Sequence, residues 1–155
     1  MAVTLGIISD THGLIRPEAL RELAGVERIL HAGDIGGPEV LDALAAIAPV
    51  TAVRGNNDRG AWAAAVAETE VVEVAGRHLY LLHDLAQLDL DPVAAGFAAV
   101  ITGHSHRPGQ EQRGGVLYLN PGSAGPRRFR LPIALARLHV GDGTLSAEIV
   151  TLTAS

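Results

Sequence analysis

The chain has 155 residues, 48% of them hydrophobic and 19% charged, which predicts one globular domain over residues 1–155 and excludes a disordered chain. It has no cysteine, and all twelve basic residues are arginine, which excludes disulfides, thiolate metal sites and cysteine or lysine nucleophiles. The net charge of −5 argues against a broad nucleic-acid-binding surface. No apolar run reaches the ~18 residues of a membrane span, and the first residues indicate a strand rather than a signal peptide. We therefore expect a cytoplasmic protein without a membrane partner.

The first half of the chain alternates predicted strands and helices. Strands are predicted for Val3–Ser9, Arg28–Ala32 and Val50–Val53. Helices that begin at a proline are predicted for Pro17–Ala24 and Pro38–Ala48, and a short Ala-rich helical turn follows the third strand. This order implies parallel strands joined by right-handed crossovers.

The second half is dominated by hairpins with glycine-containing turns. The predicted strand pairs are Val71–Val74 with His78–Leu82, Gln110–Arg113 with Val116–Leu119, and Ile133–Val140 with Leu145–Leu152. A helix over Gln87–Ala95 and a strand over Ala98–Thr102 are predicted between the first two pairs. The fold class is therefore α/β, with two packed sheets under outer helices.

Polar side chains follow five of the apolar runs at regular intervals. They are Asp10 with His12, Asp34, Asn56, His83, and His104 with His106. The steps between them are 24, 22, 27 and 21 residues, each about one strand plus a return element. The carboxyl ends of parallel strands share one edge of a sheet, where α/β proteins bind ligands. We expect these side chains to converge there, with the donors spaced i and i+2 pointing the same way from extended segments. We also expect the neighbouring Gly33, Gly55 and Gly103 to let the backbone approach the site closely.

The chemistry of these donors is coherent. Carboxylates, an amide and imidazoles without sulfur suit Mn, Fe, Zn, Co or Ni better than Ca or Mg. Seven donors exceed the needs of one ion and suit two ions that share a carboxylate. Taken singly, Asp10 and Asp34 would be turn or capping residues, and His12 and His106 would be surface residues. Their coincidence favours a shared metal site.

The order of the motifs resembles the calcineurin-like metallophosphoesterase family, in its small bacterial and archaeal phosphodiesterase-like branch. The matching motifs are D-x-H at Asp10 and His12, G-D at Gly33 and Asp34, G-N-x-D from Gly55 to Asp58, the strand-terminal His83, G-H-x-H from Gly103 to His106, and N-P-G-S from Asn120 to Ser123. Each motif alone is weak, but together they cover essentially the whole chain in order. The resemblance implies a four-layer α/β/β/α sandwich.

The resemblance also implies two divalent transition-metal ions, with Mn favoured and Fe, Ni, Co or Zn open. Asp10, His12 and His106 would hold one ion, Asn56, His83 and His104 the other, and Asp34 would bridge both. A metal-bridging hydroxide would attack a small phosphodiester or nucleotide-like substrate. The implied catalytic residues are Asp10, His12, Asp34, Asn56, Asn57 and His104.

Two positions depart from the family pattern. Asn57 stands where many relatives carry a histidine that aids departure of the leaving group, and asparagine cannot be a general acid near neutral pH. Asp84 and Leu85 stand where relatives often carry glycine and histidine in a loop that contacts substrate. Asn57 and Asp84 are therefore candidate substrate contacts. Asp84 could instead orient His83 or cap the following segment.

The remaining polar residues receive simpler predictions. Arg127 follows the N-P-G-S loop, and we interpret it as part of a solvated basic turn, with a phosphate clamp as the alternative. Asp58 is predicted to cap the next short helix. His31, His78 and His139 lie within strands and are predicted to be packing or surface residues.

Three functions stay open at this stage. A dinuclear metal-dependent phosphodiesterase leads, because all seven ligands are retained. A metal-bound scaffold with the same fold and little catalysis is the alternative, since a vesicle-coat relative uses the fold for assembly. A phosphomonoesterase is less favoured because of Asn57 and the absence of a cap insert. A homo-oligomer is left open as a partner.

Overall fold

A computed structural model describes residues 2–152, which form two five-stranded sheets packed face to face. In spatial order the first sheet contains β10 (Thr144–Thr151), β9 (Ala134–Gly141), β1 (Val3–Ile8), β2 (Arg28–His31) and β3 (Val50–Ala52). The second contains β4 (Thr69–Val74), β5 (Arg77–Leu82), β6 (Phe97–Ile101), β8 (Val116–Asn120) and β7 (Gly109–Arg113). Strands β1 to β3 run parallel, as do β5, β6 and β8. The three predicted hairpins are confirmed as antiparallel pairs.

Four short helices lie outside the sheets. They are α1 (Pro17–Leu23), α2 (Pro38–Ala45), α3 (Ala61–Ala64) and α4 (Pro92–Ala95). Both α1 and α2 have proline in the first turn, where the missing N–H costs no helical hydrogen bond. Leu23 of α1 and Leu44 of α2 are buried with Ile8 and Ile29 against the outer face of the first sheet. In residues 2–152 no helix is long and apolar enough to cross a bilayer.

The main core lies between the two sheets. Because strand side chains alternate between faces, Leu79 and Leu81 of β5 point into this core, whereas Tyr80 and Leu82 lie on the outer face of the second sheet. Full burial of each leucine contributes about 1.5–3 kcal/mol. Leu88 and Leu90 pack against that outer face, and α4 contacts β6. The predicted four-layer α/β/β/α sandwich is therefore confirmed.

One predicted helix, Gln87–Ala95, is wrong. The segment forms a 3₁₀ turn at Leu85–Gln87 and then the separate helix α4, which begins at Pro92. Asp91 has extended backbone angles of φ −94° and ψ 109°, the conformation that proline imposes on the residue before it. Its side chain accepts the Val93 N–H at 3.0 Å. A continuous helix therefore cannot pass through Asp91, which instead caps the N-terminus of α4.

Candidate metal centre

The loops that follow β1, β2, β5 and β6 bring six carboxylate and imidazole side chains together at one edge of the sandwich. They form two groups, one of Asp10, His12 and His106 and the other of Asp34, His83 and His104, with the candidate ligand atoms of each group within 4.8 Å of one another. The first group contains the three residues that the family resemblance assigns to one ion. The second contains His83 and His104 of the other assigned set, together with Asp34, the residue assigned to both ions. The seventh predicted ligand, Asn56, follows β3 and lines a cavity together with His83 and His104.

Both carboxylates face imidazoles of both groups. Asp34 Oδ2 lies 3.3 Å from His83 Nε2 and 3.8 Å from His12 Nε2. Asp10 Oδ1 lies 3.4 Å from His106 Nε2 and 3.9 Å from His83 Nε2. The two groups are thus one continuous cluster, and each carboxylate lies at the boundary between them.

One oxygen of Asp10 is buried without a hydrogen bond. Its Oδ2 accepts the Ser9 hydroxyl at 2.7 Å and the His104 N–H at 3.0 Å, but Oδ1 has no partner among the described residues. Buried polar atoms are nearly always paired, because an unpaired one loses its hydration without compensation. An unpartnered carboxylate oxygen surrounded by imidazole nitrogens is a position suited to a cation. The donor set therefore fits a divalent metal ion.

The backbone at five of the seven candidate ligands is left-handed. The positive φ values are 55° at Asp10, 47° at His12, 56° at Asp34, 72° at His104 and 63° at His106. The extended segments predicted for the i and i+2 donors are therefore wrong. Asp10 and His12 still contribute to the same group, as predicted, but His104 and His106 contribute to different groups. The chain turns sharply after each strand, which extended backbone cannot do. Non-glycine residues hold such angles only where the surroundings enforce them.

Glycines next to the donors allow this crowding, as predicted. A Cβ at Gly33 would lie 2.6 Å from His83 Nδ1. A Cβ at Gly55 would overlap Asp34, and one at Gly103 would overlap Ser9. The absence of these side chains lets three loops approach the ligands closely.

The carboxylates have different electrostatic environments. Burial opposes ionisation of Asp34, but hydrogen bonds from His83 and the Asn57 N–H, with the nearby histidines, lower its pKa to about 2. Burial raises the pKa of Asp10, although the Ser9 hydrogen bond offsets part of that effect. Burial opposes protonation of His83, but its hydrogen bonds to Asp34 and the Ala32 carbonyl, with the charges of Asp10 and Asp34, together outweigh burial and raise the pKa of the imidazole. Asp34 is therefore anionic at neutral pH, as a shared ligand must be.

His31 connects the loops after β1 and β2, a role the sequence did not reveal. Its Nδ1 accepts the Gly33 N–H at 3.1 Å, and its Nε2 lies 2.9 Å from Thr11 Oγ1. Because the Thr11 hydroxyl donates to the Ile35 carbonyl at 2.8 Å, the Nε2–H of His31 is the donor to Thr11. Burial lowers the pKa of His31 to about 3, so the ring is neutral and joins two ligand-bearing loops.

The other two strand histidines lie outside the cluster, as predicted. His78 is half exposed, and its Nε2 lies 3.5 Å from Glu73 Oε2. His139 Nδ1 lies 3.1 Å from Thr4 Oγ1. Neither is part of a candidate ligand group.

Asp58 does not cap a helix, so that prediction is wrong. Its carboxylate is buried and accepts the N–H groups of Ile35, Gly36 and Gly55 at 3.1, 3.0 and 3.0 Å. Helix α3 begins after Gly60 without a side-chain cap. Asp58 instead ties the loop after β2 to the loop after β3, and thereby fixes the segment that carries Asp34.

The two departures from the family pattern have distinct contacts. Asn57 donates its N–H to Asp34 Oδ1 at 2.9 Å and its side-chain amide to Asp34 Oδ2 at 3.1 Å. Asp84 caps the 3₁₀ turn by accepting the Ala86 N–H at 3.0 Å. Its second oxygen is 3.9 Å from His104 Nε2, whereas His83 Nδ1 is bound to the Ala32 carbonyl at 2.7 Å. The alternative in which Asp84 orients His83 is therefore wrong.

The N-P-G-S loop forms hydrogen bonds with two of the loops that carry the candidate ligands. Ser123 Oγ donates to the Asp10 carbonyl at 3.0 Å, and Asn120 Nδ2 donates to the Gly103 carbonyl at 3.0 Å. Arg127 is exposed and has no hydrogen bond or ion pair within the described residues. The neighbouring Arg128 acts on the cluster instead. Burial lowers the pKa of His106, Asp10 opposes this effect, and the positive charge of Arg128 lowers the pKa further.

Comparisons with known proteins agree with this geometry. A family model described as the calcineurin-like phosphoesterase superfamily domain matches residues 3–143. A probable metallophosphoesterase of Methanothermobacter thermautotrophicus is 34% identical, over 94% of this chain and 91% of its own length. Escherichia coli YfcE, a phosphoesterase, superposes with a TM-score of 0.70 at 22% identity, covering 97% of this chain and 100% of that chain. Entamoeba histolytica Vps29 complexed with Zn²⁺ superposes with a TM-score of 0.74 at 24% identity, covering 96% and 99%. The chain therefore belongs to the calcineurin-like phosphoesterase superfamily.

Proposed function

We propose that this protein is a phosphodiesterase that uses two divalent transition-metal ions, with Mn²⁺ favoured. The observation that carries the proposal is Asp10 Oδ1, a buried carboxylate oxygen without a hydrogen bond that faces the imidazoles of His106 and His83. Its environment is costly without a cation and favourable with one. Membership of a phosphoesterase family supports the reaction class.

Each side chain has a definite part in this proposal. Asp10, His12 and His106 would hold one ion, Asn56, His83 and His104 the other, and the anionic Asp34 would be shared. Bound divalent ions would polarise the phosphoryl oxygens and acidify water at neutral pH. The Ala32 carbonyl fixes the His83 ring through Nδ1 and leaves Nε2 directed at the cluster.

The preference for diesters rests on the branch that the motifs resemble, and the contacts of Asn57 determine which leaving groups are favoured. The Asn57 amide donates to Asp34 and has no acidic proton to give to a leaving group. Substrates with leaving groups that depart without protonation should therefore react fastest. Aryl phosphodiesters meet that requirement, and we propose them as the best model substrates.

The test is an activity matrix on metal-stripped protein. Mn²⁺, Fe²⁺, Co²⁺, Ni²⁺, Zn²⁺ and Mg²⁺ are each combined with bis-p-nitrophenyl phosphate and with p-nitrophenyl phosphate. We expect the diester to be cleaved faster, with Mn²⁺ or a similar ion, and chelator to abolish the reaction. Faster cleavage of the monoester across the metal series would contradict the diester assignment.

The alternative is a metal-bound scaffold with little catalysis. The observation that favours it is the superposition with Vps29, a vacuolar protein sorting protein, at TM-scores up to 0.78. The activity matrix separates the two functions. Protein that binds its ions by elemental analysis and yet hydrolyses no ester above background would support the scaffold.

A further inference from the structure

A loop rich in arginine follows the N-P-G-S motif. Residues 126–132, which we call the basic loop, read P-R-R-F-R-L-P, in a chain whose net charge is −5. Residues 126–130 are all exposed, and Arg127, Arg128 and Arg130 have no hydrogen bond or ion pair within residues 2–152. The basic loop is therefore a local positive surface on an acidic protein, and its charge is available to an anionic ligand.

Phe129 at the tip of the basic loop has two unfavourable features. It is 89% exposed, more than any other large apolar side chain in the described part of the chain. Its φ is 55°, in the left-handed region that bulky residues rarely adopt. The Leu131 N–H donates to the Arg128 carbonyl at 3.1 Å and closes a turn in which Phe129 takes a position that usually belongs to glycine or asparagine. Backbone outliers of this kind concentrate at ligand-binding sites, and here the outlier presents an aromatic ring to solvent.

The base of the basic loop is held against the candidate metal centre. Gly125 packs so closely on the loop after β1 that a Cβ there would overlap the Asp10 carbonyl oxygen. Arg16 donates from Nη2 to the Gly125 carbonyl at 3.2 Å, which fixes the start of the basic loop. From this position the charge of Arg128 acts on His106. The basic loop therefore projects next to the ligand group that contains Asp10 and His106.

An exposed aromatic ring among arginines is a combination that binds nucleotides. A base stacks on the face of an aromatic side chain, and guanidinium groups form bidentate, charge-assisted hydrogen bonds with phosphate. The basic loop offers one ring, and the acidic remainder of the chain disfavours a long nucleic-acid strand. Attachment to a lipid surface depends on a larger buried apolar area than one ring provides. A single nucleotide is therefore the ligand that fits this surface best.

We propose that the basic loop recognises a nucleotide whose scissile phosphate lies at the metal centre. The Phe129 ring stacks on the base, and Arg128 with its neighbouring arginines binds a second phosphate of the same nucleotide. The proposal rests on the proposed function, because it takes the scissile diester to be held by the two ions. The substrate class is then a phosphodiester of a nucleoside that carries another phosphate group.

The test uses three p-nitrophenyl phosphodiesters that differ in the alcohol. They are the methyl ester, the thymidine 5′-ester, and the thymidine 5′-ester with an added 3′-phosphate. In each reaction water adds to phosphorus, the bond from phosphorus to the aryl oxygen breaks, nitrophenolate leaves with the electron pair, and a proton passes to solvent. The thymidine-to-methyl ratio of kcat/KM measures the contribution of the nucleoside, and the ratio of the two thymidine esters measures that of the added phosphate.

We expect the nucleoside to raise kcat/KM by about fivefold or more, the lower limit for stacking of a base on an aromatic side chain. The 3′-phosphate should raise it by up to about fivefold, as exposed ion pairs do, and this gain should shrink with added salt. Phe129→Leu keeps an apolar side chain without an aromatic face and should remove the first gain, whereas Phe129→Trp should retain it. Arg128→Ala should reduce the second gain, and replacement of Arg127, Arg128 and Arg130 together by alanine should abolish it.

Two variants far from the basic loop are the matched controls. Arg77→Ala removes one positive charge at the opposite end of β5 from His83. Val93→Ala shortens another exposed apolar side chain, which lines a separate cavity with Arg77. Both variants should leave the two ratios of kcat/KM unchanged.

Stacking on Phe129 is refuted if the thymidine ester reacts no faster than the methyl ester, or if Phe129→Leu keeps the advantage. The phosphate assignment is refuted if the 3′-phosphate gives no gain, or if the triple arginine variant keeps that gain. If even bis-p-nitrophenyl phosphate is not cleaved with any metal, the proposed function fails, and titration calorimetry with thymidine 3′,5′-bisphosphate then decides. Weaker binding by Phe129→Leu and by the triple arginine variant than by wild type would support the assignment of the basic loop, and equal binding by all three proteins would overturn it.

Discussion

Replacing Asp58 by alanine should destabilise the protein far more than removing an exposed capping aspartate. Asp58 accepts three backbone N–H groups from two different loops, and it is buried. Asp91 accepts the N–H groups of Val93 and Ala94, but in an exposed setting. The two side chains are chemically identical, so the comparison contrasts a buried acceptor of three N–H groups with an exposed acceptor of two.

The expected loss of unfolding free energy in Asp58→Ala depends on how buried each of the three N–H donors is. The N–H groups of Ile35 and Gly55 are buried and would cost about 1–3 kcal/mol each without an acceptor, whereas the part-buried Gly36 N–H would lose only about 1 kcal/mol. Asp58→Ala should therefore lower the free energy of unfolding by about 3–7 kcal/mol. Asp91→Ala should lower it by about 1 kcal/mol. A domain of this size has about 5–15 kcal/mol in total.

Urea denaturation of the metal-free proteins, in the presence of chelator, measures both effects without a contribution from bound ions. Asp58→Asn keeps one acceptor oxygen and should fall between wild type and Asp58→Ala. If that variant folds, it should also bind metal more weakly, because Asp58 fixes the loop that carries Asp34. A loss for Asp58→Ala within 1 kcal/mol of the loss for Asp91→Ala would refute the argument from burial.

Three further predictions concern the candidate centre. Asp34→Asn should weaken metal binding at least about tenfold, with fewer ions per chain by elemental analysis, while Asp42→Asn should retain the wild-type count. Wild-type hydrolysis rates should fall steeply from aryl to alkyl diesters, and Asn57→His should raise the rates for alkyl diesters by up to about 10²-fold. A shallow dependence of the wild-type rate on the leaving group would show that another group donates the proton. His31 is neutral when folded and has a pKa near 6.5 when unfolded, so its contribution to stability is lost as the pH falls below 6.5 towards 3. Between pH 6 and pH 5, metal-free His31→Gln should lose about 1.2 kcal/mol less of its unfolding free energy than wild type.

The architecture was predictable because it depends on local patterns. Apolar runs of strand length, prolines at helix starts and glycine-containing turns located the strands β1 to β3 and the three hairpins. The helix predicted over Gln87–Ala95 is wrong because Pro92 holds Asp91 in an extended conformation that a continuous helix cannot contain. That error was avoidable, since the restriction before proline is itself a local rule.

The positions of the ligands were predictable, but their backbone geometry was not. Strand ends and residue chemistry predicted that the donors converge, and the family resemblance divided them between two ions. The structure brings six of them together in two groups. Asp and His adopt left-handed angles more often than most residues, but the sequence did not show that Asp10, His12 and Asp34 do so, because such angles are enforced by neighbouring loops that are distant in sequence. The same holds for Arg128, whose proximity to His106 depends on the path of a loop rather than on sequence distance from the N-P-G-S motif.

The neighbours Asn57 and Asp58 show why side-chain roles needed the tertiary structure. The helix cap predicted for Asp58 is wrong, because Asp58 accepts backbone N–H groups that include Ile35, more than twenty residues away. The substrate contact predicted for Asn57 stays a prediction, and the structure adds its hydrogen bonds to Asp34. Asp58 stands too early to cap α3, which begins after Gly60, while the parallel strands bring unpaired N–H groups of the β2 loop within its reach. One short segment therefore both orients a ligand and holds two loops together. Because stability and ligand placement share these contacts, substitutions at Asp58 should change metal affinity and unfolding free energy together, whereas substitutions at Asn57 should act mainly on Asp34.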